Sequence, residues 1–183
     1  MKESIYNSEH PIRLYFANAI NDAFEGRLGI YEEEVEEYLT SMLVAFLHLD
    51  SVYGLHDKQG RSVTSVAEMV MEGDIRLNAD SFDREREVHR HIGDFLLFWS
   101  GLFPEYLRYI KAPLGKDALL DPVGQGRMSY KVASSFEHDP YGNESKVLRR
   151  LSEKFETYQY GLGFVRAGFE GFRRQGWPDG FNA

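Results

Sequence analysis

Apolar residues recur at intervals of three and four along most of the chain, which is the spacing of one face of an α-helix. No stretch of useful length alternates apolar and polar residues as a half-buried strand does. The pattern therefore predicts an all-α fold, a single-domain bundle of six or seven helices spanning residues 1–183. Residues 1–11 are expected to form an irregular start and residues 175–183 an extended tail.

Turn-forming residues and helix caps divide this pattern into separate helices. A long helix is predicted over 82–102, with Asn78, Asp80 or Ser81 as its N-cap. The last and most regular helix is predicted to run without a break from a cap at Asn143 or Ser145 through Phe169. The other predicted helices cover residues 12 to 26–29, 31–52, 63–72, 104–109 and 119–136.

Two of these helices suggest a partner surface. The second half of the 31–52 helix is apolar on nearly every side, and the last helix carries four glycines that each cost about 1 kcal/mol relative to alanine. Both surfaces would bury well against a second copy, so the first hypothesis is an interaction protein that acts as a homodimer. Burial of Leu43, Val44 and Leu47 within one chain would count against it.

The amino-acid composition excludes several kinds of site and argues against secretion and membrane insertion. The 183 residues contain no cysteine, which excludes disulfides, thiolate metal sites and cysteine nucleophiles and favours the cytoplasm. The start Met1–Asn7 has no apolar run typical of a secretory signal. The longest uncharged stretches, 38–49 and 95–104, are shorter than the roughly 20 residues that span a bilayer, so no membrane partner is expected.

The net charge of −8 argues against nucleic acid as a partner, because phosphates are repelled. Residues 1–60 carry 11 acidic against 4 basic residues. The best basic stripe is diluted by neighbouring glutamates and is interpreted as a solvated face; it consists of Lys146, Arg149, Arg150 and Lys154.

His89 and His91 are weak candidates for a metal site. They lie among the densest set of carboxylates in the chain: Asp83, Glu85, Glu87 and Asp94. Residues two apart point to different helix faces, so the two histidines do not hold one ion from a regular helix. Known helical metal motifs are absent, and neither a metal nor another cofactor is expected.

Asp94 is the most informative polar residue, because it lies where the 82–102 helix enters its apolar half. A carboxylate buried there needs a partner, and Arg90, Arg127 and Lys131 are the candidates. In that structural interpretation its replacement by alanine costs about 3–5 kcal/mol. The alternative is a functional carboxylate of raised pKa.

The second hypothesis is a small-molecule-binding or enzymatic bundle with a pocket near Asp94 and Tyr130, between the 90–105 and 119–136 helices. The chain is rich in aromatic residues, with 13 Phe and 11 Tyr that suit such a pocket. No catalytic residue is assigned, and whether the protein is an enzyme stays open. The candidate ligand-binding residues are Asp94, Trp99, Glu105, Arg127 and Tyr130.

Two segments resemble the paired signature of a group of bacterial all-helical proteins of unknown function. They are Gly93-Asp94 with Leu97-Phe98 and Ser100-Gly101-Leu102-Phe103-Pro104, in the pattern Gly-Asp-x-x-Leu-Phe-x-Ser-Gly-x-Phe-Pro, and Gly126-Arg127-Met128-Ser129-Tyr130. The similarity covers about residues 85–165, although Asp121-Pro122-Val123 stands where that group has aromatic residues. The resemblance implies a helical fold and a cluster of Asp94, Gly101, Pro104, Gly126 and Tyr130, and it implies no reaction.

Overall fold

The computed structural model describes residues 9–110 and 115–175, with the backbone alone at 49–50, 109–110 and 169–175. The all-α prediction is confirmed: seven helices account for most of this part of the chain, and it contains no sheet. They are α1 (Pro11–Asn21), α2 (Glu33–Ala45), α3 (Val66–Gly73), α4 (Phe82–Leu102), α5 (Pro122–Ser134), α6 (Gly142–Glu153) and α7 (Phe155–Gln175).

Shorter helical pieces connect these elements. A π-helical segment, Asp22–Leu28, continues α1 and ends at Gly29, whose φ of 65° is a left-handed conformation that glycine adopts readily. The predicted end of the first helix near 26–29 is therefore confirmed. Single turns follow at Leu49–Val52, Pro104–Tyr106 and Leu107–Ile110.

α4 lies at the centre of the fold and packs against α3, α5 and α7. Its bounds agree with the predicted ones. Ser81 is the N-cap: its hydroxyl oxygen accepts a hydrogen bond from the Arg84 amide at 3.1 Å, and this satisfies one of the free N–H groups of the first turn. From Ile92 onward nearly every side chain of α4 is buried, so the apolar half of this helix forms the middle of the core.

α2 is shorter than predicted. The helix ends at Ala45, and the chain turns before the short Leu49–Val52 helix. Leu43 and Val44 are buried inside the chain, whereas the Leu47 residue is 39% exposed. Most of the apolar surface that suggested a partner is therefore covered by the protein's own core.

The prediction of one continuous last helix is wrong. The chain bends at Lys154, where φ is −117° and ψ is 32°, and the bend separates α6 from α7. It lets α6 cross α5 and α2 while α7 packs along α4 and α1. The predicted caps are also wrong, because α6 begins after Tyr141 and the Ser145 hydroxyl donates to the Gly142 carbonyl.

The predictions for the two ends of the chain can be compared with the structure only in part. Pro11 already lies in α1, and α7 extends to Gln175. Residues 9 and 10 precede α1, and residues 1–8 and 176–183 of the predicted irregular start and extended tail lie outside the described residues. Between these limits, no helix combines the length and the apolar character needed to cross a membrane.

Candidate functional site

An open groove of about 730 Å³ lies between α2, α4 and α6, and we call it the Asp94 groove. Its walls come from residues 34–51 of α2 and the following turn, residues 90–94 of α4 and residues 143–147 of α6. Three segments that are far apart in the sequence therefore form one concave surface.

Asp94 lies deep in this groove, with its side chain only 7% exposed. Its Oδ1 atom accepts two hydrogen bonds, from the hydroxyl of Tyr38 at 2.7 Å and from the hydroxyl of Tyr130 at 2.9 Å. Its Oδ2 atom lies 3.6 Å from a guanidinium nitrogen of Arg90, which is an ion pair but longer than a hydrogen bond. One carboxylate oxygen is thus well satisfied and the other is not.

Burial raises the pKa of Asp94 from 3.8 to about 6, because the ionised form loses its water. The charge of Arg90 and the two tyrosine hydrogen bonds oppose this effect and only partly cancel it. The pKa values of Tyr38 and Tyr130 are raised well above the usual value, first by burial and then by the neighbouring carboxylate. Both tyrosine hydroxyls therefore stay protonated and donate their hydrogen bonds to Asp94.

A close helix contact holds Tyr130 in place. Its fully buried ring lies on the backbone of α4 at Gly93, where an added Cβ would come within 2.6 Å of the ring. α4 and α5 therefore pack tightly here, and the predicted pocket between them is wrong in position. Asp94 opens instead towards α2 and α6, while Tyr130 reaches it from behind.

His91 lies on the same face of α4 as Asp94, three residues earlier, and also lines the groove. Its Nε2 atom is buried and has no hydrogen-bond partner among the described residues. Burial, followed by the charge of Arg90, lowers the pKa of His91 to about 4, so the ring is uncharged at neutral pH. Its ring meets Phe46 edge to face.

His89 lies outside the groove. It is buried, its Nδ1 atom is 3.4 Å from the hydroxyl of Ser129, and burial lowers its pKa. The two histidines therefore face different surroundings, as their spacing predicted. No set of three or more histidines and carboxylates suited to a metal ion occurs in the part of the chain that the structure describes.

Four of the five candidate ligand residues do not line the Asp94 groove, and of these four Tyr130 donates a hydrogen bond to Asp94 from behind it. Trp99 is buried among aromatic rings, and its indole N–H has no partner among the described residues. Glu105 is exposed and pairs with Arg166 at 2.6 Å, and half-exposed Arg127 faces Glu156 at 3.7 Å. Only Asp94 and Tyr130 of the predicted set come together.

The glycines that the resemblance placed with Asp94 have packing contacts instead. A Cβ on Gly101 would lie 2.7 Å from the Leu162 side chain, and one on Gly126 would lie 2.5 Å from the Phe155 ring. Both glycines allow α7 to approach its neighbours. Of the predicted cluster, Asp94 and Tyr130 are in direct contact, and Pro104 begins the short helix that follows α4.

The sequence did not reveal the other groups around Asp94. Tyr38 lies in the predicted 31–52 helix at an apolar spacing from its neighbours, which hides that its hydroxyl needs a polar partner when buried. The rim acids Glu37 and Glu144 are held by Arg13 and Arg86, respectively, through ion pairs between elements distant in sequence. Nothing in the local sequence pattern indicates such partners.

Comparison of the chain with protein-family models, curated proteins and solved structures finds no match. The likeness to the group of bacterial helical proteins stays a prediction.

Proposed function

We propose that the protein binds a small molecule in the Asp94 groove and that Asp94 is the polar group that orients it. The observation that supports this most directly is the arrangement of the Asp94 carboxylate. One of its oxygens is fixed by two tyrosine hydroxyls, and the residue lines a groove whose volume lies in the range of known ligand sites.

The groove also has the mixed lining that ligand sites use. Met42, Phe46 and Val147 give it a largely buried apolar surface, and a few polar groups converge at its α4 side. An enzymatic form of the proposal makes Asp94 a general base, because its pKa of about 6 is near the range in which proton transfer is efficient.

A fragment screen by ligand-observed NMR tests this proposal. Ala45 lines the groove at the end of α2, so Ala45→Phe should fill part of it. We expect fragments that bind the unmodified protein to lose their binding to this variant. Leu14→Phe adds aromatic surface at an exposed position on α1 and should leave binding unchanged. Fragments that bind all three proteins equally would contradict the proposal.

A second candidate function is the homodimer, which a different surface favours. An open groove of about 600 Å³ runs along α4 and α7, where the small residues Gly101, Gly163 and Ala167 lie next to an aromatic pair, Tyr160 and Phe164. The Tyr160 residue is 64% exposed. In a two-fold dimer the same patch serves both partners, so the Tyr160 ring of one copy would enter the groove of the other.

Light scattering at micromolar concentration tests the dimer. We expect a mass of twice the 21.1 kDa chain, and a return to the single mass in Ala167→Glu, which places a charge in the groove. A single-chain mass for the unmodified protein would contradict the dimer and leave the ligand-binding proposal intact. The cytoplasm remains the proposed location, because a chain without cysteine has no use for an oxidising compartment.

A further inference from the structure

Arg90 and Asp94 form an open ion pair on the face of α4 that lines the Asp94 groove. The two residues are four positions apart, which places their side chains next to each other on the helix. A guanidinium nitrogen of Arg90 lies 3.6 Å from Oδ2 of Asp94, which is farther than a hydrogen bond. The pair therefore presents a donor and an acceptor side by side.

Each half of this pair has hydrogen-bonding capacity left. The Arg90 side chain is 37% exposed, and its guanidinium carries five N–H groups, more than one carboxylate oxygen accepts. Both tyrosines, Tyr38 and Tyr130, donate to Oδ1 of Asp94, so Oδ2 faces the guanidinium and has a lone pair for one more N–H group. A ligand that reaches Arg90 can therefore bond to both members of the pair.

The charges around the groove disfavour a charged ligand of either sign. Four carboxylates line the groove and repel an anion: Glu34, Glu37, Asp94 and Glu144. Two of them are paired with Arg13 and Arg86, which weakens the attraction of the rim for a cation. The guanidinium of Arg90 also repels a cation that approaches Asp94. An uncharged polar group avoids both penalties.

We infer that the ligand presents an uncharged carboxamide group to this pair, with its carbonyl oxygen accepting from Arg90 and its N–H group donating to Asp94. An amide carries an acceptor and a donor on neighbouring atoms, so one planar group meets both halves of the pair. The apolar remainder of the ligand lies against Met42 and Phe46, which also line the groove. This inference rests on the proposed ligand-binding function and adds the ligand class.

Calorimetric titration at neutral pH tests the ligand class with four probes that share a phenylethyl body. They are hydrocinnamamide, benzylacetone, hydrocinnamate and phenylpropylamine, which end in an amide, a ketone, a carboxylate and an ammonium group. We expect the amide to bind most tightly. The ketone keeps the acceptor but lacks the N–H group, so it should bind about tenfold more weakly, and both charged probes should bind at least as weakly as the ketone.

Variants then locate the amide. Asp94→Asn keeps an oxygen for the tyrosines and puts an N–H group in place of Oδ2, so it should weaken hydrocinnamamide about tenfold without weakening benzylacetone. Arg90→Met keeps an unbranched side chain without donors and should weaken both probes. Arg76→Met makes the same change at an exposed arginine outside the groove and should leave both unchanged. Circular dichroism confirms that each variant is folded, and if Arg90→Met is not, the two probes on Asp94→Asn still decide.

The outcomes separate this inference from the proposed function. Binding of hydrocinnamate or phenylpropylamine as tight as that of hydrocinnamamide, abolished by Ala45→Phe, would overturn the ligand class and leave the groove as a binding site. An equal effect of Asp94→Asn on the amide and the ketone would also overturn the inference, because the N–H group would then not bond to Asp94. If none of the four probes binds, the inference fails, and the proposed function fails with it only if the fragment screen also yields no ligand that Ala45→Phe excludes.

Discussion

Replacing Asp94 with asparagine tests the energetic state of its carboxylate. The pKa of this group is about 6 in the fold and 3.8 as its ordinary value, a difference of about two units. Each unit corresponds to about 1.4 kcal/mol, so the ionised carboxylate lowers the free energy of unfolding at neutral pH by about 3 kcal/mol relative to the protonated one. Asparagine has a similar shape, still accepts from the tyrosines and never ionises.

The sign of the pH dependence follows from the raised pKa. Between about pH 4 and pH 6 the folded chain holds the Asp94 proton and the unfolded chain has lost it, so stability falls as the pH rises through this window. The Asp94→Asn variant does not lose stability in this way, because asparagine does not ionise. Its free energy of unfolding should therefore improve relative to the unmodified protein by about 3 kcal/mol between pH 4 and pH 7.

Urea denaturation of both proteins at about pH 4, 5, 6 and 7 measures this difference directly. Groups other than Asp94 titrate in both proteins and cancel, and Asp22→Asn serves as the exposed control. A difference that is constant with pH would refute the reasoning. A change in the opposite direction would show that Arg90 holds the carboxylate ionised in the fold, with a pKa below its ordinary value.

Three destabilising variants and one comparison variant test the surroundings of this carboxylate and the start of α3, all by chemical denaturation. Gly93→Ala should cost about 1–3 kcal/mol because its Cβ would meet the Tyr130 ring, whereas Gly168→Ala, with no atom within 4 Å, should gain about 0.5–1 kcal/mol. Tyr130→Phe should cost about 1.5–3 kcal/mol and move the pH midpoint of Asp94 upward, since it removes a donor to the ionised form. Asp117→Ala should cost about 1–2 kcal/mol, because this buried carboxylate accepts from two N–H groups at the start of α3, both at 2.8 Å. A cost below about 0.5 kcal/mol in any of the three destabilising variants would contradict the contact it removes.

The structure also changes what the replacement of Asp94 by alanine tells us. From sequence alone, a loss of about 3–5 kcal/mol indicates a structural ion pair. The two tyrosine hydroxyls would lose their acceptor in the same variant, at about 1–3 kcal/mol each. A large loss is therefore expected for a binding residue as well, and only the asparagine variant separates the two roles.

Local signals explain what the sequence predicted well. The bounds of α4 depend on Ser81 as a cap and on Pro104 just after its end, and both act within one turn of the helix. The end of the first helix depends on Gly29 in the same way. Such features are readable because the residues that cause them are neighbours in the sequence.

The missed features depend on contacts between distant residues. The bend at Lys154 leaves the apolar spacing of the sequence intact, and Lys154, Arg150 and Tyr158 all converge on Glu32, more than a hundred positions away. Likewise, the sequence identified Asp94 as a residue in need of a partner. It did not identify Tyr38 as that partner, because no periodic pattern records which tyrosine of another helix comes within hydrogen-bonding distance.

The walls of the Asp94 groove come from segments that are far apart in the sequence, and this affects when the groove forms during biosynthesis. Tyr38 and Asp94 are 56 positions apart, and Arg86 and Glu144 are 58 apart. Contacts with such long loops form only after much of the chain has been ordered. A chain that emerges from the ribosome therefore lacks the third wall until α6 has been synthesised and has docked. Any ligand of the groove would bind the finished protein alone, and it would stabilise that state against partially folded chains by mass action.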